Sequence, residues 1–469
     1  MEKTMGKVIG NPTTTPININ NFVGKASSIN NKVSGESIHI TDSSENKFNN
    51  LVIYGKTTQA AEPTLDAPQE LVSVGAEPFN VYVCGNNLFN PYAVSCVNLV
   101  YENDVKPNDK NISKYNVYGL KIESTTYDNN EGLIITQGEP DEGKNMINGC
   151  VNLYFDNPAL YKFGEKYTFI ADYEVKEDKL PDNNLRVNIK GATIPNNFFN
   201  LPNTKGKICT LVTASQSEKY PNRRCIEFYT LGKSITLKNI MWLPGDWRSN
   251  PPEYEDYKEQ VLNVEAKTTL GNADNRAGVV GIPVKSGGNY TDESGQSWIA
   301  NTIDFKDGKH YRRVWARLLP ALRWTMSYMT DDGDYIFYRE TDWSFGEHLE
   351  VLCNYFPNKI MPTEGHGIWI SKNENGNAVI YIKASFVSPS ELEEFITTNR
   401  PYIYYAHSSA TATTLKAEEL EQYKSLASYY PTTRVISAVD AGMEVEYVAD
   451  TKNYIDNKFA ELTALVLEG

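Results

Sequence analysis

The residues with the clearest capacity for chemistry are aromatic. The run Trp242-Leu243-Pro244-Gly245-Asp246-Trp247-Arg248 puts two indoles in a turn beside an acid and a base. Further along, Trp324, Tyr328, Tyr335, Tyr338 and Trp343 surround a hairpin whose turn is read at Asp332-Gly333. A sugar ring presents apolar C–H faces that stack on Trp or Tyr, while Asn, Asp and Arg take its hydroxyls. Trp247, Arg248, Trp343 and Tyr335 are therefore the candidate glycan contacts, with Trp242 beside them, because turn residues are less committed to a core than strand residues. Against this, most Trp in a β-sandwich are core, and Trp324, Met326 and Tyr328 alternate as a core strand does.

Catalytic signatures fail residue by residue. Gly55-Lys56-Thr57 looks like the end of a phosphate loop, but position 50 is Asn where the loop needs Gly. There is no G-x-S-x-G elbow, no H-E-x-x-H and no G-x-G-x-x-G after a strand. His39, His310, His348, His366 and His407 stand singly, so a His-rich metal cluster has no support. Asp331, Asp332 and Asp334 have the chemistry for Ca²⁺ or a sugar, yet they miss the spaced calcium-loop pattern, and a solvated hairpin tip explains them as fully. Cys84, Cys96, Cys150, Cys209, Cys225 and Cys353 form no C-x-x-C pair and read as buried thiols of a protein made in a reducing cytoplasm. The expectation is a non-enzymatic protein with no catalytic residue, no metal and no cofactor.

The elements that must hold these residues are mostly strands. LVIYG, NVYVCG, GLIITQG, KYTFIADYEV, ICTLVTA and SITLKNIMWL are among about ten β-rich runs between residue 48 and residue 250, separated by Asn, Gly, Pro and Asp. That spacing indicates an antiparallel sandwich or jelly roll. A second β-rich unit follows from about Val264, with HGIWIS, AVIYIKA and PYIYYAH as later strands. SPSELEEFITT reads as a short helix capped by Ser388 or Ser390, and LKAEELEQYKSLASYY as another. The fold class expected is mainly β, two jelly-roll-like sandwiches with an extended N-terminal segment and a short C-terminal helix. Boundaries are placed at 1–48, 49–262, 263–412 and 413–469.

Length and charge narrow the partners. The 469 residues suffice for two or three domains, and Lys+Arg 45 against Asp+Glu 59 gives −14. A nucleic-acid footprint and adhesion to anionic lipid are disfavoured by that balance. No run approaches the ~18 apolar residues of a membrane span, and the N-terminus lacks a secretory h-region, so a protein that works outside the cell is expected to leave by lysis or as part of a particle.

Four phrases, in order, resemble minor structural proteins of the tail fibre or baseplate in tailed phages and prophages of Gram-positive bacteria. They are FNNLVIYGKTTQAAEPTLDAPQELVSVG with CGNNLFN, then ITLKNIMWLPGDWRSNPPEYEDYKE, GIPVKSGGNYTDESGQSWIANTIDFKDGKHYRRV, and VDAGMEVEYVADTKNYIDNKFAEL. Thr57 and Asn86 replace the usual Ser and Lys, the usual acidic turn becomes Leu243 to Trp247, and Ala300 stands where the pattern has Cys. The resemblance implies a virion component with carbohydrate-binding-like sandwiches, acting outside the cell on a host-surface polysaccharide. A purely architectural fibre or decoration protein is the alternative, and a polysaccharide depolymerase ranks last. Residues 1–48, polar but holding Val8, Ile9, Ile17, Ile19, Phe22 and Val23, are expected to dock in extended form on another virion protein. Val448, Ile455, Phe459, Leu462 and Val466, spaced 7, 4, 3 and 4 apart, form a coiled-coil seam that Lys452 breaks. A helix folded onto its own sandwich uses the same stripe; a homotrimer is preferred because such fibres are commonly trimeric.

Overall fold

The computed structural model describes residues 29–41, 48–75, 77–90, 95–97, 121–128, 132–138, 149–154, 164–175, 185–190, 198–201, 203–213, 225–229, 234–265, 278–429 and 432–449. The fold is mainly β, with antiparallel ladders throughout and two helices among the described residues. The chain divides into two units, the first comprising 1–83, 261–430 and 435–469, and the second 84–260 with 431–434. This division departs from the expected break between 262 and 263. Strand Phe48–Tyr54 pairs with Thr302–Asp304 on one side and with Gly442–Ala449 on the other, so the opening segment belongs with the second half of the chain. Alternation along a strand reports which residues share a face, but not which distant strand completes the sheet.

The first unit is built on a seven-stranded sheet in the order Ile29–Gly35, Gly442–Ala449, Phe48–Tyr54, Thr302–Asp304, Lys309–Leu318, Tyr402–Thr414, Val351–Cys353. A four-stranded sheet of Glu259–Val264, Phe79–Cys84, Thr432–Ser437 and Ser37–Thr41 shares one core with it, including Ile40, Leu51, Ile53, Val81, Leu262, Ile303, Met443 and Val445. A second four-stranded sheet of Thr325–Met329, Tyr335–Ser344, Asn377–Ala384 and Gly367–Lys372 closes another core, in which Phe337, Ile368, Ile380 and Ile382 meet Val351, Ile403 and Tyr405. Helix Pro389–Asn399 adds Leu392 and Ile396 to that core.

Two expectations at the chain ends need correction. Residues 29–41 are strands of this unit, not part of a free attachment segment: Val33 faces Val445 in a ladder with Gly442–Ala449. The span 413–469 is not helical throughout, because helix Ala417–Ser425 is followed by strands Thr432–Ser437 and Gly442–Ala449. Val448 lies in that last strand opposite Asn30, so it is not a seam residue of a helix. Residues 1–28, and Ile455, Phe459, Leu462 and Val466 of the expected seam, lie outside the described residues.

The second unit holds two five-stranded antiparallel sheets. One runs Phe198–Leu201, Leu185–Lys190, Cys225–Tyr229, Gly149–Tyr154, Ser95–Val97, and the other Lys205–Thr213, Lys166–Val175, Ser234–Pro244, Gly132–Gly138, Lys121–Asp128. In Lys166–Val175, the second strand of the latter, Tyr167, Phe169, Ala171 and Tyr173 are all buried, and so are Thr168 and Ile170 on the other face.

Candidate functional site

The structure separates the nominated aromatics. Trp242 is 3% exposed, stacked near Tyr167 at 6.2 Å and edge-on to Phe169 at 5.7 Å, which makes it a core residue and corrects its nomination. Trp343 is corrected likewise: it is 8% exposed and lies flat on Tyr405, with ring centroids 5.5 Å apart and planes at 13°. Neither offers a ring face to a ligand. Tyr335 is half-buried against the same core as Trp343. Trp247 is also half-buried; its indole N–H donates to the Pro244 carbonyl at 2.7 Å, and its ring rests on the Ile170, Met241 and Leu243 cluster. Arg248 is exposed, but its guanidinium is already engaged by Asp246, through Nε to Oδ1 at 2.9 Å and Nη2 to Oδ2 at 2.7 Å. Those bonds hold the Asp246 carboxyl down to about 2.

The charged candidates are internally satisfied. Lys383 is completely buried and donates to Asp332 Oδ2 at 2.6 Å and to the carbonyls of Pro362 and Thr363 at 3.0 and 3.2 Å. Asp332 also takes the Thr330 hydroxyl at 2.6 Å and the Gly365 N–H at 3.1 Å, so it clamps the hairpin tip to the neighbouring loop. Lys56 of the rejected phosphate-loop triplet is nearly buried in contact with Glu36, 3.5 Å from Asp440 and 3.9 Å from Asp292, with the Tyr290 ring 6.0 Å away. Three carboxylates already surround its ammonium. No group of three or more His, Cys, Asp or Glu able to hold a metal occurs among the described residues.

The other face of the sheet carrying the hairpin presents two half-exposed aromatics, although Ile336, Val379 and Lys383 on the same face are buried. Successive strand residues point to opposite faces, and Phe337, Ile380, Ile382, Ile368 and Ile370 take the core side. Tyr338, Tyr381 and Trp369 therefore share the other side, directly opposite one another across three strands. Trp369 and Tyr381 are stacked at 5.2 Å with planes 5° apart, and Tyr381 and Tyr338 are 6.2 Å apart. Both tyrosines are half-exposed while Trp369 is buried behind them. Beyond Tyr338 stands the small Thr325 of the edge strand Thr325–Met329, every residue of which is exposed, with Tyr328 at 51% and Met329 at 59%. Glu340 and Ser371 flank the row one step along the same face, both opposite Val379. Rings, hydroxyls and one carboxylate on a rigid sheet can stack on and hydrogen-bond to a sugar.

No protein-family model, no curated protein and no solved structure matches the chain. No helix among the described residues is long and apolar enough to cross a membrane. Sequence reasoning missed Tyr381 and Trp369 as site residues although both strands were legible; parity with Tyr338 across the sheet is a register property.

Proposed function

We propose that the chain is a non-enzymatic structural component of a tailed-phage virion, in a tail fibre or baseplate, that recognises a polysaccharide of the host-cell surface. The observation that carries the binding reading is the Tyr338–Tyr381–Trp369 row beside the exposed edge strand. The four sequence phrases support the virion reading. On it, the protein is assembled in the host cytoplasm, released by lysis and acts outside the cell; residues 1–28 dock on other virion proteins, and the particle carries it as a homotrimer. Binding of purified protein to host cells and isolated wall polysaccharide tests the adhesion. The double variant Tyr338→Ala, Tyr381→Ala is expected to lose tenfold or more in affinity, about 1.4 kcal/mol, with an unchanged melting temperature. Equal binding by that variant removes the assignment. Light scattering tests the trimer, which a mass near the 52.8 kDa of one chain removes.

The burial of Trp242 and Trp343 favours a second reading, an architectural protein whose sandwiches only carry stability. Failure of the wild-type protein to bind any host polysaccharide, beside a working positive control, selects it.

A further inference from the structure

One strand of the first unit carries buried donors that nothing accepts. On Lys309–Leu318 the side-chain nitrogens Arg312 Nε, Arg312 Nη2, Trp315 Nε1 and His310 Nε2 are all shielded and have no hydrogen-bond partner among the described residues. Neither Arg312 nor Arg317 makes an ion pair with a carboxylate among the described residues.

The topology places these groups side by side on the seven-stranded sheet. His310 pairs with Ile303, a residue of the first core, and Trp315 pairs with Tyr405, a residue of the second. The register shifts between Arg312 and Val314, where residues 407–410 of the partner strand bulge out opposite Arg313. That shift keeps His310, Arg312, Trp315 and Arg317 on one face, with Arg312 between the two cores. The Arg312 guanidinium carbon lies 3.6 Å from the centre of the Trp315 ring, and the His407 ring stacks on the same indole at 4.7 Å. Arg317 stands 5.9 Å from Trp315 and 5.2 Å from Trp343. Arg317 and residues 408–414 are exposed, so the cluster borders solvent along that edge of the sheet. Burial, with Arg312 and Arg313 nearby, pushes His310 down to about 4, and Arg312 and Arg317 are the cations beside the Trp315 indole.

Nε and Nη2 form the edge through which a guanidinium grips an oxyanion with two parallel bonds, and stacking on an indole fixes the plane of that fork. We propose that the Arg312–Trp315–His407 cluster is an oxyanion site, taking the carboxylate of a uronic acid or the phosphate of a phosphodiester. That this oxyanion belongs to an acidic surface polysaccharide rests on the function proposed above; the oxyanion site itself does not. A water can satisfy one donor but leaves the Arg312 charge uncompensated, whereas an anion answers both needs.

Calorimetric titration of the full-length protein at constant ionic strength, with glucuronate, glycerol phosphate and glucose as probes, tests the site. Saturable binding of one or both anions and none of glucose is expected, with the tighter anion identifying carboxylate or phosphate. Affinity is expected to fall tenfold or more in Arg312→Gln and severalfold in Trp315→Phe, which keeps the packing and removes Nε1–H. No saturable binding of either anion up to about 50 mM, far above the millimolar range of a single charged subsite, overturns the proposal. Unchanged affinity in Arg312→Gln also overturns it, and if that variant does not fold, unchanged affinity in both Trp315→Phe and Arg317→Gln does so. A site that binds small anions in a protein that binds no host cell leaves the oxyanion site standing and removes only the polysaccharide as its source.

Discussion

At the scale of single residues, the hairpin tip shows how a cluster with the chemistry of a ligand site serves as a clamp instead. Asp332 is held well below the usual carboxylate range, first by the Lys383 hydrogen bond and then by the Thr330 hydroxyl. A carboxyl depressed in the fold binds fewer protons there than in the unfolded chain. Its contribution is therefore complete above its ordinary value of about 4 and is lost as pH falls toward the folded value. Asp332→Asn is accordingly expected to melt at a lower temperature than wild type at pH 7, with the gap narrowing as pH is taken from about 5 to about 3. A gap that stays constant across that range in thermal melts would count against the clamp. The three aspartates were visible in the sequence, but the partner was not, because Lys383 comes from a strand some fifty positions away. The same limit separates Tyr335 and Trp343 from Tyr338. The first two share the odd parity of Phe337 and so belong to the face packed on the core, while Tyr338 belongs to the opposite one. Parity was legible in the sequence; which parity the second sheet covers was decided by packing.

Elements whose signals are local were legible in full. Ser388-Pro389-Ser390-Glu391 announces a helix start, and Pro389–Asn399 begins there, with the Ser388 hydroxyl accepting the Glu391 N–H and Pro389 in the first turn. Its end is less legible: Arg400 closes it at φ 49, a left-handed conformation that usually selects Gly or Asn. The helix is held by what it buries, since Leu392 and Ile396 complete the core under the aromatic row. Ser388→Ala is expected to cost about 1 kcal/mol, and Leu392→Ala about 2–5 kcal/mol, measured by denaturant unfolding. An equal, small effect of both would mean that the helix is not part of the cooperative core. The hairpin was legible for the same reason, because Gly333 takes the positive φ of 88 that the turn between Thr325–Met329 and Tyr335–Ser344 requires.

At the scale of the whole molecule, the first unit is closed by strands from the two ends of the described chain. Ile29–Gly35 lies against Gly442–Ala449, and the next strand, Ser37–Thr41, sends Ile38 and Ile40 into the core shared with Val435 and Met443. No sequence window short enough to show periodicity contains both partners, which is why residues 29–41 read as part of a polar leader. Their role separates two deletions that the sequence treats as one. Removing residues 1–28 is expected to leave the melting temperature unchanged. Removing residues 1–41 takes away two ladder strands and the buried side chains of Ile38 and Ile40, each worth about 1.5–3 kcal/mol of apolar burial. Set against a typical domain stability of about 5–15 kcal/mol, that loss should leave the first unit largely unfolded, visible as a lost near-ultraviolet signal and rapid proteolysis within 278–429. If the longer deletion melts like the shorter one, the strands at 29–41 are dispensable and the leader reading returns for the whole segment.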